Sequence, residues 1–212
     1  MGRAELRVGG LTPLTTIDYP GELAAVVFCQ GCPWRCRYCH NPELLPPGGE
    51  TTIPWNEVIR FLEGRRGLLD AVVFSGGEPT LQPALEATVD EVKELGFKVG
   101  LHTAGIYPRR LAALLPKLDW VGLDVKALPE NYPALTGAEG SGESAWESAR
   151  LLIDSGVAHE LRITAHPALT DRRQAESIKT RLRAMGAQRV LEQPCREERM
   201  FDPTLTTVPR QL

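Results

Sequence analysis

Cys32, Cys36 and Cys39 stand in the spacing C-x3-C-x2-C, within the run Phe28-Cys29-Gln30-Gly31-Cys32-Pro33-Trp34-Arg35-Cys36-Arg37-Tyr38-Cys39-His40-Asn41-Pro42. Thiolates are the usual protein anchors of iron–sulfur clusters. Three of them leave one iron of a four-iron cubane without a protein ligand, and an open position on a metal points to chemistry rather than scaffolding. Cys29 supplies a fourth thiol just upstream. A structural zinc site usually separates its paired thiols by roughly a dozen residues or more, so that the halves can close into a tetrahedron. Only Pro33, Trp34 and Arg35 intervene here. A ferredoxin-type carrier follows C-x2-C-x2-C-x3-C-P, which this run does not match. Cys29 closes an apolar run and reads as a small buried side chain rather than a ligand. An electron carrier and a zinc-stabilised binding module remain the non-enzymatic alternatives.

Other polar groups gather just after apolar runs. In Ser75-Gly76-Gly77-Glu78-Pro79 the two glycines would let a ligand approach the backbone closely. Glu78 offers an acceptor for an ammonium, and a tight strand-to-helix turn is the plainer alternative. Asp124-Val125-Lys126 places two charges on one strand face, where they meet a common ligand or each other. His102-Thr103 ends another run. Arg162 suits either an anion or a structural salt bridge. His166, before Pro167, reads as a strand-end cap, and Cys195 as an ordinary thiol.

These groups need a frame, and the chain alternates short apolar runs with longer helical patterns. The predicted strands are Leu23–Phe28, Ala71–Ser75, Lys98–Thr103, Trp120–Val125, Glu160–Ala165 and Arg189–Gln193. The predicted helices are Pro54–Glu63, Gln82–Leu95, Pro108–Leu115, Ser144–Asp154 and Arg172–Met185, with Gly96, Gly156 and Gly186 as terminators. Such alternation implies parallel strands joined by right-handed crossovers. The expected fold class is therefore α/β, a partial open (β/α)6 barrel with parallel strands. Function belongs at the C-terminal ends of those strands, where the groups above fall. Residues 1–212 read as one domain, with 1–22 as a lead-in and about 200–212 as a tail. Pro46–Glu50 and Thr136–Glu143 read as loops over the barrel mouth.

The composition excludes several classes. With 212 residues, 42% of them hydrophobic, and a formal charge of −3, the chain is expected to bury a full core. No basic block interleaved with aromatics suggests nucleic acid. The longest apolar run, Leu23 to Cys29, is too short to span a bilayer, and the N-terminus carries no secretory pattern. The expected setting is a reducing cytoplasm, where clustered thiols serve metals rather than disulfides.

Together the cysteine loop and the later Gly-Gly-Glu-Pro resemble the radical S-adenosylmethionine enzymes, over nearly the whole chain. Within that superfamily, His40-Asn41-Pro42 and Thr15-Thr16-Ile17-Asp18-Tyr19-Pro20-Gly21 resemble the glycyl-radical-enzyme activases, and most closely those serving anaerobic ribonucleoside-triphosphate reductases. The resemblance implies a [4Fe-4S] cluster on Cys32, Cys36 and Cys39 that binds S-adenosyl-L-methionine through its open iron. It implies reductive cleavage of that cofactor, with the 5′-deoxyadenosyl radical generating a glycyl radical on the reductase. The implied electron donor is a flavodoxin or a ferredoxin. No catalytic side chain is expected beyond the cluster and cofactor, because hydrogen-atom abstraction needs no general base.

By the same resemblance, Tyr38 packs near the adenine, and Gly76, Gly77 and Glu78 hold the methionine amino group. Asp124 and Lys126 lie beside the ribose and methionine ends, Arg162 meets the carboxylate, and His40 and Thr103 complete the cofactor-binding set. Activases with a monovalent-cation site carry Asp-Thr where this chain has His102-Thr103. Formate-lyase activases carry Pro-Tyr-His where Pro194-Cys195-Arg196 stands. Tyr132-x-x-Leu135-Thr136-Gly137 is read as a loop near a partner-docking mouth. A radical enzyme of the 7-carboxy-7-deazaguanine synthase type is the enzymatic alternative. It shares the cysteine loop and Gly-Gly-Glu-Pro but not typically the His-Asn-Pro, Asp-x-Lys and Leu-Thr-Gly set.

Overall fold

The computed structural model describes residues 5–48, 53–196 and 200–205. One sheet of seven strands runs in sequence order: β1 (Val8–Thr15), β2 (Ala24–Cys29), β3 (Ala71–Gly76), β4 (Lys98–Thr103), β5 (Trp120–Asp124), β6 (His159–Ala165) and β7 (Val190–Pro194). From β2 to β7 every neighbouring pair is parallel. The six predicted strands are these, and the open α/β sheet is the expected one. The departure is β1, which pairs antiparallel with β2 and lies in the segment read as a lead-in. The sheet is thus mostly parallel, with one antiparallel edge.

Helices α1 (Trp55–Glu63), α2 (Leu85–Glu94), α3 (Pro108–Leu114), α5 (Ser141–Ser155) and α6 (Arg172–Ala184) follow the predicted pattern. Between β5 and α5 a five-residue helix, α4 (Tyr132–Thr136), replaces an expected loop, and Gly137 closes it with φ 69°. Residues 138–140 remain a connection, but α5 already begins at Ser141. Pro46–Gly48 form bends, while the last residues of that expected loop lie outside the described residues.

Strand side chains alternate between two faces, and the two faces are built differently. Val72, Phe74, Val99, Leu101, Val121, Leu123, Leu161 and Ile163 pack with helical Val58, Leu62, Val89, Leu152, Ile178 and Leu182 in the main core. The face without helices, the inner face of the open barrel, holds a small second cluster of Tyr19, Ala24, Val26, Ala71, Val73 and Trp120. The β1–β2 connection folds under this face. The Tyr19 ring lies 5.3 Å from Trp120, over Gly100, where an added Cβ would sit 3.0 Å from the ring. Asp18 offers its carbonyl to His102 Nε2 at 2.8 Å. Residues 18 and 19 therefore floor the barrel.

Replacing Tyr19 by Ala empties that floor. The expected cost is about 3 kcal/mol, or roughly 6–12 °C of melting temperature for a domain of this size. Differential scanning fluorimetry of the two proteins checks it.

Candidate functional site

The cysteine loop begins where β2 ends, and its backbone is tied down on several sides. Gly31 and Cys32 donate to the carbonyls of Leu44 and Leu45 at 2.8 and 3.1 Å. Arg35 and Arg37 donate to Thr136 and Leu135 at the C-terminal end of α4, at 2.8 and 3.1 Å. Buried backbone groups must be paired, so a loop this irregular stays ordered only where other segments supply partners. Gln30 adds a side-chain amide bonded to the carbonyls of Glu43 and Pro46. Gln82 bonds the Gln30 carbonyl at 3.1 Å and also grips the backbone of Arg7.

The Gly76-Gly77 turn serves this same loop. Gly77 donates to the Cys29 carbonyl and Glu78 to the Gly31 carbonyl, both at 2.9 Å. A Cβ on Gly77 would meet the Gly31 oxygen, and one on Gly76, at φ 104°, would meet the Cys29 backbone at 2.6 Å. The close approach these glycines permit includes one to the backbone of the cysteine loop. Glu78 likewise points inward and is fully buried. Its carboxylate accepts from the Thr80 amide, the Thr80 hydroxyl, the Thr103 hydroxyl and the Ala104 amide, at 3.0, 2.5, 2.7 and 3.0 Å. Burial raises its pKa, and these hydrogen bonds pull the other way. Glu78 and Thr103 thus lock the ends of β3 and β4 together.

Cys36 is buried and Cys32 and Cys39 are half-buried, and all three are free thiols. Burial pushes the Cys32 thiol up to about 12 and the Cys36 thiol to about 11, and raises Cys39 as well. Cys29 is wholly buried among the residues of the helix-covered face, as expected of a packing residue. Among the described residues no three His, Cys, Asp or Glu side chains converge on a point as a mononuclear ion would need. A cubane, in contrast, takes each thiolate on a different iron.

Tyr38 sits beside Lys126, whose Nζ lies 5.4 Å from the ring centre. The Tyr38 hydroxyl is buried without a hydrogen-bond partner. Lys126 Nζ is 3.4 Å from Asp124 Oδ2, so the expected pair does meet, with the carboxylate partly exposed on the inner face. The Lys126 amide donates to the Tyr132 hydroxyl at 2.8 Å, and Tyr132 stacks edge-on with Trp34 of the cysteine loop.

Arg162, His102 and His40 each meet protein partners. The Arg162 guanidinium is 3.4 Å from Glu160 and 5.1 Å from the Trp120 ring centre. His102, on the inner face, meets Asp18, Ser75 and Arg162 rather than Thr103's partners. Burial and then Arg162 lower its pKa. His40 turns to the end of β7 and donates from Nε2 to the Arg196 carbonyl at 2.6 Å.

The parts of Gln30, Gln82 and the α4 carbonyls do not show in the sequence, because their partners are distant in the chain. Only Tyr132-x-x-Leu135-Thr136-Gly137, which forms α4, is a local signal. Residues 26–180 match the radical SAM superfamily. A Methanocaldococcus jannaschii protein bearing the name glycyl-radical enzyme activating enzyme is 34% identical, over 81% of this chain and 73% of its own. The pyruvate formate-lyase-activating enzyme of Clostridium pasteurianum is 30% identical, over 79% and 72%. Streptococcus suis SuiB bound to S-adenosylmethionine superposes with a TM-score of 0.62 at 17% identity, over 79% of this chain. That match spans 39% of SuiB and speaks to the fold alone. The chain belongs to the radical S-adenosylmethionine superfamily, in its glycyl-radical-enzyme activase branch. The cofactors of that family are a [4Fe-4S] cluster and S-adenosyl-L-methionine.

Replacing Glu78 by Ala strands four donors in the interior. At about 1 kcal/mol or somewhat more per unsatisfied group, the expected loss is ~4 kcal/mol, or roughly 8–16 °C of melting temperature. A thermal melt of the metal-free protein checks it. An unchanged midpoint would show that the carboxylate is no structural clamp.

Proposed function

We propose that the chain activates an anaerobic ribonucleoside-triphosphate reductase by generating its glycyl radical. The observation that carries the reading is the tied cysteine loop, with three free thiols beside an unpartnered Tyr38 hydroxyl and the Asp124–Lys126 pair. The donor set suits an iron–sulfur cluster, with Cys32, Cys36 and Cys39 as its ligands and Cys29 left in the core. When bound, the reduced cluster and S-adenosyl-L-methionine supply reductive cleavage of the sulfonium and hydrogen-atom abstraction, with methionine and 5′-deoxyadenosine as products.

The protein's share is to bind, orient and keep water out. Tyr38 offers its hydroxyl and ring to the nucleoside end. Asp124 accepts from hydroxyl or ammonium groups on the inner face. Lys126, held by Tyr132 and Thr170 through its backbone, keeps the Asp124 carboxylate oriented. Trp34 of the loop packs on Tyr132 on the protein side. Gly76, Gly77, Glu78 and Thr103 fix the loop, and the same Gly-Gly-Glu turn would meet the methionine amino group. His40 and Arg162, which contact Arg196 and Glu160, complete the set that would meet the cofactor.

The choice of reductase rests on His40-Asn41-Pro42, Asp124-x-Lys126 and Leu135-Thr136-Gly137 occurring together. A flavodoxin or ferredoxin would supply the electron, in the cytoplasm. Among the described residues no helix is long and apolar enough to cross a membrane.

Anaerobically reconstituted protein, given S-adenosyl-L-methionine and dithionite, is expected to release 5′-deoxyadenosine. With the reductase added, an electron paramagnetic resonance doublet from a glycyl radical should appear. Cleavage without the doublet would overturn the assigned target and move the substrate toward a small molecule. Cys36→Ala is expected to lose the cluster and at least 100-fold of the cleavage rate, whereas Cys29→Ala keeps its iron. Loss of iron in Cys29→Ala would contradict the ligand assignment.

A further inference from the structure

The segment after β7 was expected to be a tail, yet Met200–Leu205 is built into the barrel mouth. Phe201 donates to the carbonyl of Cys39 at 3.0 Å, and Asp202 to that of Arg37 at 2.8 Å. Just upstream, the Arg196 carbonyl receives His40, and the Cys195 amide bonds Ala165 at the end of β6. The other end of the segment is fixed as well. His166 accepts from the Ala168 amide at Nδ1, which leaves its proton on Nε2 to donate to the Leu205 carbonyl at 3.2 Å. Met200 and Leu205 are buried, and His166 is nearly inaccessible.

Asp202 joins the two halves of this arrangement. Its Oδ1 accepts from the amide and hydroxyl of Thr204 and so caps the short turn Pro203–Leu205. Its Oδ2 pairs with Arg37 Nε at 2.8 Å. One carboxylate thus folds the segment and ties it to the residue between Cys36 and Cys39. An open barrel cannot brace a loop at one rim through its sheet alone. Here the brace runs from the loop after β2 across to the ends of β6 and β7.

We infer that Met200–Leu205 is a strap that holds the Cys39 end of the cysteine loop, with Asp202 and Leu205 as its positioning residues. The inference rests on reading Cys32, Cys36 and Cys39 as cluster ligands, and its consequence is slower loss of iron from that end. The strap contributes no ligand. It keeps Cys39 in place when the loop would otherwise open, since local opening exposes a site far more often than global unfolding does.

Two variants separate the strap's parts. Asp202→Asn keeps the Thr204 cap but removes the charge that pairs with Arg37, and Leu205→Ala frees the far end. In the metal-free protein, hydrogen exchange read by nuclear magnetic resonance is expected to show the Phe201 and Asp202 amides slowed at least 10-fold. Both variants should lose most of that protection. In reconstituted protein under anaerobic conditions, a ferrous chelator is expected to remove iron several-fold faster from both variants, with Asp202→Glu restored toward the parent. The far-ultraviolet circular dichroism should not change. Unprotected amides in the parent would overturn the strap, and unchanged iron release with faster exchange would overturn its positioning role. A parent that takes up no iron would instead count against the cysteine ligands, while the exchange arm still reports on the strap.

Discussion

The site depends on a backbone-to-backbone contact between the end of β3 and the loop after β2. Gly77 lies so close to the Gly31 carbonyl that any side chain there would collide with it. That approach lets the Gly77 and Glu78 amides reach the carbonyls of Cys29 and Gly31. The loop is irregular and must carry three thiols at a fixed spacing, so its own polar backbone cannot be satisfied internally. It is satisfied by β3, by the turn at Pro42–Leu44, by α4 and by the strap. Glu78 then fixes β3 to β4, so a displacement at either strand end is felt by the cysteines. A buried carboxylate with four protein donors is a costly device unless every bond is made. Its presence here argues for a site that must be rigid before any ligand arrives.

The inner face supplies the complementary half. Its floor is aromatic and closed, with Tyr19 on Trp120 and Arg162 over the same ring. Gly100 and Gly122 are small because those groups need the space, and a Cβ on Gly122 would meet the Trp120 ring and the Arg162 guanidinium. Above the floor the face turns polar, with Ser75, His102 and Asp124 at the strand ends. Asp124 remains partly exposed while Lys126 is almost covered. A ligand entering from the C-terminal mouth therefore meets a carboxylate first and an ammonium only at its side. His102 and Thr103 point to opposite faces, and each is already engaged by protein partners.

Much of the frame was legible in the sequence because burial dictates periodicity. Strands such as Ala71-Val72-Val73-Phe74, covered on both faces, read as short continuous apolar runs. Helices such as α6 ended at a glycine terminator, here Gly186. The cysteine spacing announced its chemistry outright. What stayed hidden depends on partners far along the chain. β1 has Gly9, Gly10 and Pro13 in place of a strand-like alternation, and exists because β2 offers it an edge. α4 is a single turn and a fraction, too short for any period to show. The direction in which Glu78 points, and the strap that ends at Leu205, are set by tertiary contacts alone. The two glycines were legible, but their approach to the cysteine-loop backbone was not.

Three thiolates of a pre-braced loop would hold a four-iron cluster and leave one iron for the cofactor. Mössbauer spectroscopy of protein reconstituted with iron-57, before and after S-adenosyl-L-methionine, is the decisive measurement. About one quarter of the cluster's iron signal is expected to shift on addition, since one iron gains new ligands. A cluster spectrum that does not change with the cofactor, from protein carrying its full iron, would mean four protein ligands and would contradict it.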